Sequence, residues 1–125
     1  MKKAITLTLA TPLLLAGCST NPPMVDDVNQ VRELIDASST PCEEWVDYGD
    51  NSASCYVRDV NETVRLANDP EFVIQKRLIE DEDALAGIAG GNWVVMCNLG
   101  TTSKQCEDLA GEIGGEVVRR PSEQK

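Results

Sequence analysis

The stretch Gly90-Gly91-Asn92-Trp93-Val94-Val95-Met96-Cys97 decides how the rest of the sequence is interpreted. After the glycine pair, the run from Trp93 to Cys97 is apolar throughout and rich in β-branched and aromatic residues, which predicts a strand. Because side chains alternate between the two sides of a strand, an unbroken apolar run gives it two apolar faces. We therefore expect a central strand covered on each side, or by helices on one side and a hairpin on the other.

A helix and a short strand are predicted directly after this central strand. Behind the turn Asn98-Leu99-Gly100, either Thr101 or Thr102 can cap a helix, and apolar residues at helical spacing follow. Gly114-Gly115 is typical of a helix C-terminus. The residues Glu116-Val117-Val118-Arg119 then predict a last short strand.

A hairpin is predicted upstream. The runs Glu44 to Tyr48 and Ala53 to Asp59 flank the turn Gly49-Asp50-Asn51-Ser52. The next segment, Val60 to Ala67, is compatible with a third strand or with a helix, and the pattern does not decide between them.

Two further helices are predicted from caps and spacing. Asn68-Asp69-Pro70 is a typical helix start, and that helix reaches the acidic run Glu80-Asp81-Glu82-Asp83. The first helix is indicated by an amphipathic stripe from Met24 to Ile35, with Asp26 and Asp27 in its first turn. This helix can be packed on the body or form a stalk, and the stripe favours packing.

The predicted fold class is α+β: a small antiparallel or mixed sheet with two to three helices, stapled by two disulfides. In this arrangement the helices lie on one face of a single sheet. The length of 125 residues leaves room for one domain, which we place at residues 25–120, with 121–125 as a flexible tail.

The N-terminus has the features of an export signal. Met1-Lys2-Lys3 precedes an apolar run that is too short to span a bilayer, so residues 1–17 are predicted to be a signal peptide. Its end, Leu15-Ala16-Gly17-Cys18, resembles the lipobox of bacterial lipoproteins. The resemblance implies a diacylglycerol on the Cys18 thiol, cleavage before this residue, and a spacer at 18–24. The alternative is an ordinary cysteine beside a secretory cleavage site.

Export from the cytosol would determine whether the four remaining cysteines form disulfides. An oxidising exterior favours two disulfides over free thiols, and among the three pairings we prefer the local ones, Cys42 with Cys55 and Cys97 with Cys106. In the chain-entropy model such loops contribute on the order of 2 to 3 kcal/mol each. A four-cysteine metal site is disfavoured because the spacing matches no zinc knuckle.

Composition excludes several functions. There are 11 basic and 21 acidic residues, giving a formal charge of -10, the wrong sign for phosphate backbones; we expect no nucleic acid partner. Histidine is absent, which removes Ser-His and Cys-His nucleophiles and His-containing zinc sites. No nucleophile-elbow, Walker or dinucleotide motif is present, so we predict no catalytic residues, no enzyme and no cofactor.

A family resemblance rests on two segments. Gly91-Asn92-Trp93-Val94-Val95-Met96-Cys97 and Gly114-Gly115-Glu116-Val117 resemble motifs of small, mostly uncharacterised lipoproteins of actinobacteria and their phages. With the lipobox, the resemblance covers the N-terminus and about the last third of the chain. It implies no settled activity and no site residues.

Two acidic segments carry enough carboxylates to raise the question of a calcium site. Four consecutive carboxylates at Glu80 to Asp83 cannot converge on one cation, so a solvated face is favoured. Asp47-Tyr48-Gly49-Asp50-Asn51 lacks the alternating oxygen ligands and the terminal Glu of a calcium loop, which makes a hairpin turn the better interpretation. We predict no metal site.

The aromatic residues suggest where a partner binds. Trp93 lies in an apolar run and is predicted to be core. Trp45 instead lies among acidic residues on a hairpin that we expect at the edge of the sheet, a pattern typical of a contact for a basic partner. The predicted partner-binding residues are Glu43, Glu44, Trp45, Asp47 and Tyr48.

These observations favour a non-enzymatic binding module on the bacterial surface, lipid-anchored to the outer face of the cell membrane, or to the outer membrane if the host has one. The expected partner is a cationic envelope or extracellular protein. A narrower version, from the resemblance to phage-borne lipoproteins, is phage superinfection exclusion. The first alternative is a tethered inhibitor of a cationic hydrolase such as a lysozyme or protease; the second is a calcium- or sugar-binding enzyme.

Overall fold

A computed structural model describes residues 22–120. The predicted signal peptide, Cys18, the first part of the spacer and the tail at 121–125 lie outside these residues. Three helices and six strands make up the described chain. In chain order they are α1 (Val28–Asp36), β1 (Glu43–Asp47), β2 (Ser52–Val57), β3 (Val60–Leu66), α2 (Pro70–Glu80), β4 (Ala84–Ala89), β5 (Trp93–Asn98), α3 (Ser103–Ile113) and β6 (Glu116–Val118).

The strands form one open antiparallel sheet in the order β1-β2-β3-β5-β4-β6. This confirms the α+β class and the small sheet with three helices. The ambiguous segment 60–67 is a strand, β3, because it pairs along its length with β2 and also with β5.

One strand, β4, was not predicted from the sequence. Its residues are mostly small, Ala-Leu-Ala-Gly-Ile-Ala, and lack the β-branched run that marks a strand. Packing explains the small residues: a Cβ on Gly87 would lie 2.5 Å from Ile74 of α2, so the helix approaches the strand backbone closely.

The prediction that all helices lie on one face is wrong. Helix α2 packs on one side of the sheet, where Ile74 and Leu78 contact Ala84, Val94 and Met96. Helices α1 and α3 pack on the other side against a larger cluster that includes Trp93, Val95 and Cys97. Alternate residues of β5 therefore pack into two apolar layers, one on each face of the sheet, and β5 is covered on both sides.

The chain before α1 is docked on the body. Asn92 holds Val25 by two hydrogen bonds, donating from Nδ2 to its carbonyl at 2.8 Å and accepting from its N–H at 2.9 Å. The carbonyl of Pro23 accepts from Trp93 Nε1 at 2.8 Å and from the N–H of Gly91 at 3.1 Å. Residues 22–24, predicted as the end of a spacer, thus contact the domain, and α1 begins at Val28 rather than Met24.

Helix ends follow the predicted caps. Asp69 accepts from the N–H of Phe72 with Pro70 at the first turn, and Thr102 forms a reciprocal capping box with Gln105. Gly114 ends α3 with φ +86°, a conformation that favours glycine. Within residues 22–120, no helix has the length and hydropathy needed to cross a membrane.

Candidate binding surface at the β1 edge

Both predicted disulfides are formed. Cys42, just before β1, is bonded to Cys55 in β2, and their Cα atoms are 5.4 Å apart. Cys97 at the end of β5 is bonded to Cys106 in α3, with a Cα separation of 6.1 Å. One disulfide therefore closes the hairpin at the sheet edge and the other joins the central strand to a helix.

The two halves of the sheet are covered differently. Strands β4, β5 and β6, which we call the covered half, contact helices on both faces. Strands β1, β2 and β3, the open half, have their buried hydrophobic residues on the side of α1. On the opposite side, which we call the open face, no helix among the described residues makes extensive contact with these three strands.

The open face displays apolar and aromatic side chains. Val46 is opposite Ser54 in the register, and Tyr56 lies two residues further along β2, so all three point to this face. Val46 is 47% exposed, Tyr48 is 60% exposed and Tyr56 is 38% exposed. The Tyr48 hydroxyl is 2.9 Å from the Ser54 hydroxyl, which holds the ring over β2.

A β-bulge turns Trp45 to the opposite side of β1. The register shifts between Glu43 and Val46, and Glu44 adopts φ +56°. Trp45 is half-buried against the core beside α1, with the guanidinium carbon of Arg32 at 5.4 Å from its ring centroid.

The acidic side chains of the hairpin border this edge. Glu43, Glu44 and Asp47 are exposed, and none of the salt bridges within residues 22–120 involves them. Asp47 Oδ1 accepts from the N–H of Gly49 at 2.8 Å, which fixes the turn. Asp50 accepts from the Ser52 hydroxyl in the same turn.

The structure thus places four of the five predicted partner-binding residues on the edge strand β1 and Tyr48 directly after it, but divides the set between two faces. Glu43 and Tyr48 share the open face with Val46, whereas Trp45 and Asp47 point to the side of α1. Sequence reasoning missed Val46, Tyr56 and Arg32. The alternation of β2 could have indicated Tyr56, because it follows Cys55, whose side chain must point inward to form its disulfide.

The acidic run at the end of α2 is held by neighbouring cations. Arg77 pairs with Asp81 at 3.2 Å, and Lys76 pairs with Glu80 at 3.4 Å. The pKa of Asp81 is lowered, first by a hydrogen bond from the N–H of Asp83 and then by Arg77. A cavity of about 610 Å³ lies beside this run, but the residues at 22–120 place no group of three or more metal-ligating side chains together.

Sequence reasoning also missed a buried carboxylate, Glu62 in β3, which is 1% exposed. It accepts from the N–H of Asn98 at 2.8 Å and from the Thr101 hydroxyl at 2.7 Å. Burial raises its pKa to about 7, opposed in part by these two hydrogen bonds from neutral donors. Its position between Val60 and Val64 on one face of β3 could have indicated it, had the segment been assigned as a strand. Glu62 holds the turn between β5 and α3.

Comparison of this chain with protein-family models, with curated proteins and with solved structures finds no match. The candidate site therefore stands on geometry and charge alone.

Proposed function

We propose that this chain is a bacterial surface lipoprotein, anchored through acyl chains on Cys18, whose open half is a non-enzymatic module for binding a cationic envelope or extracellular protein. The observation that carries the binding role is the open face. Val46, Tyr48 and Tyr56 are exposed together beside acidic side chains, although the chain supplies helices to cover the other half of the same sheet.

Exposed aromatic and aliphatic groups on one rigid surface support a contact site. Tyrosine contributes a large apolar area and a polar end at low entropic cost, and it is enriched in binding hot spots. The Cys42–Cys55 disulfide and the turn hydrogen bonds hold the hairpin before binding, which reduces the cost of ordering it.

Charge supports a basic partner. Glu43, Glu44, Asp47 and Asp50 surround the edge. Such a field accelerates encounters with cationic proteins, and this acceleration weakens as salt screens the charges.

The anchor rests on the sequence before Pro22. A lipobox ending in Cys18 supports acylation, and two disulfides are compatible with an oxidising exterior. Superinfection exclusion, in which the open half masks a phage entry component, is the narrower form of this proposal. A gene located outside any prophage would argue against it.

A tethered inhibitor of a cationic hydrolase is the second candidate. It is favoured by the disulfide that braces the hairpin and by the exposed acidic turn at Asp50. Unchanged activity of lysozymes and proteases in the presence of excess protein would remove this candidate.

The test uses the full chain in its native membrane. A photo-crosslinking amino acid replaces Tyr56 on the open face or, as a control, Ile79, an apolar residue of α2 that is 76% exposed. We expect one basic protein to be crosslinked from position 56 and not from 79, with a yield that falls as salt rises. Equal products from both positions would contradict the binding role. A separate experiment tests the anchor. If the protein shows no palmitate labelling that depends on Cys18, the proposed lipid anchor is contradicted and the binding role is not.

A further inference from the structure

We infer that the outer edge of β1 receives an extended, basic segment of the partner as an additional strand. This inference rests on the proposed function and deepens it, because it specifies how the partner is recognised. Strand addition supplies affinity through backbone hydrogen bonds and specificity through alternate side chains.

The hydrogen-bonding phase of β1 leaves backbone groups free. The N–H of Tyr48 donates to the carbonyl of Ser52 at 3.0 Å, so this pair is hydrogen-bonded across the hairpin. In an antiparallel ladder every second residue has this orientation. The backbone N–H and C=O groups of Val46, which is paired with Ser54, therefore also point towards β2. Trp45 and Asp47 therefore turn their N–H and C=O groups away from β2, at the end of the strand order.

The opposite edge of the sheet, formed by β6, is less suited to the addition of a strand. Strand β6 has three residues, and the chain after it is held in place. The Arg120 guanidinium donates to the carbonyls of Leu78, Asp81 and Ala84, and Arg119 pairs with Glu107. The β1 edge has five residues and a disulfide bracing its hairpin.

Charge decides between a second copy of this chain and a basic partner. If two β1 strands paired with each other, the acidic side chains of one strand, Glu43, Glu44 and Asp47, would lie beside the same acidic side chains of the other. Like charges on paired strands are destabilising. A segment with Lys or Arg at these positions gains attraction instead.

The two faces of β1 define the side chains of that segment. A residue pointing to the open face would lie beside Val46, which favours β-branched or aliphatic groups. A residue pointing to the other face would lie near Asp47, which favours a cation. The bulge between Glu43 and Val46 interrupts the ladder and keeps the matching segment short. The expected partner segment alternates apolar and basic residues.

The test uses the peptide acetyl-Lys-Val-Lys-Val-Lys-amide with the full acylated chain in detergent micelles. A control peptide of the same sequence carries backbone N-methyl groups on its lysines, which lie opposite Trp45 and Asp47 in an antiparallel ladder. These groups remove the backbone donors that would face β1 and keep the charge. Amide exchange is followed residue by residue. We expect the amides of Trp45 and Asp47 to become protected, those of Val46 and Tyr48 to change little, and N-methylation to weaken binding roughly tenfold or more.

Three outcomes would overturn strand addition. These are binding without protection at Trp45 and Asp47, equal binding of the N-methylated peptide, and no binding of the unmodified peptide. If crosslinking from position 56 still captures a basic protein, the binding module stands and only the recognition mode fails. If that crosslinking fails as well, both proposals fall. The variant Asp47→Asn, which can still accept from Gly49, should retain the fold and weaken the peptide several-fold at low salt.

Discussion

The two tryptophans belong to differently built halves of one sheet. Trp93, in the covered half, has no exposed surface, and its indole N–H donates to the carbonyl of Pro23. A Cβ on Gly90 would lie 1.9 Å from the Trp93 ring, so the glycine leaves the space that the ring fills. Trp45, in the open half, is half-buried on an edge strand with Arg32 over its ring. The comparison teaches that, on the same face of one sheet, a central strand buries a tryptophan completely and the edge strand buries one only in part.

The two disulfides are both buried, but they join different parts of the molecule. Cys97–Cys106 lies wholly in the core, beside the turn that Glu62 holds, and joins two layers. Cys42–Cys55 braces the hairpin that carries the exposed open face. We therefore expect stability to concentrate in the covered half and recognition in the open half.

The largest expected effect separates the two tryptophans. Trp93→Ala removes a fully buried ring and leaves a cavity between β5 and the N-terminal segment, so we expect the free energy of unfolding to fall by about 3–5 kcal/mol. Trp45→Ala should cost about 1 kcal/mol, because only part of its surface is buried. Urea denaturation of both variants measures the difference. Equal losses would refute the division into halves.

The next effect concerns Glu62. Its pKa in the folded protein, about 7, lies above the ordinary value of 4.5, so the fold favours the protonated form. The stability that this preference provides is complete below about pH 4.5 and is lost as pH rises to about 7, a change of about 3 kcal/mol. Glu62→Gln should remove this fall and leave the variant more stable than the parent at pH 8.

Unfolding measured by urea from pH 4.5 to pH 8 tests the prediction for Glu62. Glu82→Gln, at an exposed glutamate, is the matched control and should keep the pH dependence of the parent. A parallel pH dependence for the parent and Glu62→Gln would show that Glu62 is not the group responsible.

The smallest effect is expected on the open face. Val46→Thr and Val94→Thr are the same near-isosteric change on the same side of the sheet, one exposed and one buried beneath α2. We expect Val46→Thr to change the free energy of unfolding by less than about 0.5 kcal/mol. Val94→Thr buries a hydroxyl among apolar groups and should cost about 1–3 kcal/mol. Similar costs at the two sites would mean that the open face is covered in solution.

Much of the fold was predictable because its signals are local. The glycine-flanked apolar run gave a central strand, and the caps at Asp69 and Thr102 marked helices that the structure contains. Strand β4 was not predictable in this way. Its residues are small because α2 packs closely against the strand backbone. This tertiary contact cannot be recognised from any short segment of the sequence. The same contact places α2 on the face opposite α1 and α3.

The candidate site was predictable in part. The acidic residues and Tyr48 are evident from the hairpin sequence, but which of them share a face depends on the bulge at Glu44. That bulge shifts the alternation by one residue, so Trp45 and Val46 exchange the sides expected from simple counting. Glu62 was missed because a single polar run, Asn-Glu-Thr, conceals a strand whose alternate residues are buried.

The shared carbonyl of Pro23 has a mechanical consequence. It fixes the polypeptide a few residues beyond Cys18, and a stretch of four residues, the length of 18–21, spans roughly 14 Å at most when fully extended. With acyl chains on Cys18, this short connection would hold the domain close to the bilayer. The β4–β5 turn would then lie nearest the lipid. Its reach would then be limited to proteins in the same membrane or pressed against it, and the lost translational freedom would raise the local concentration of such partners.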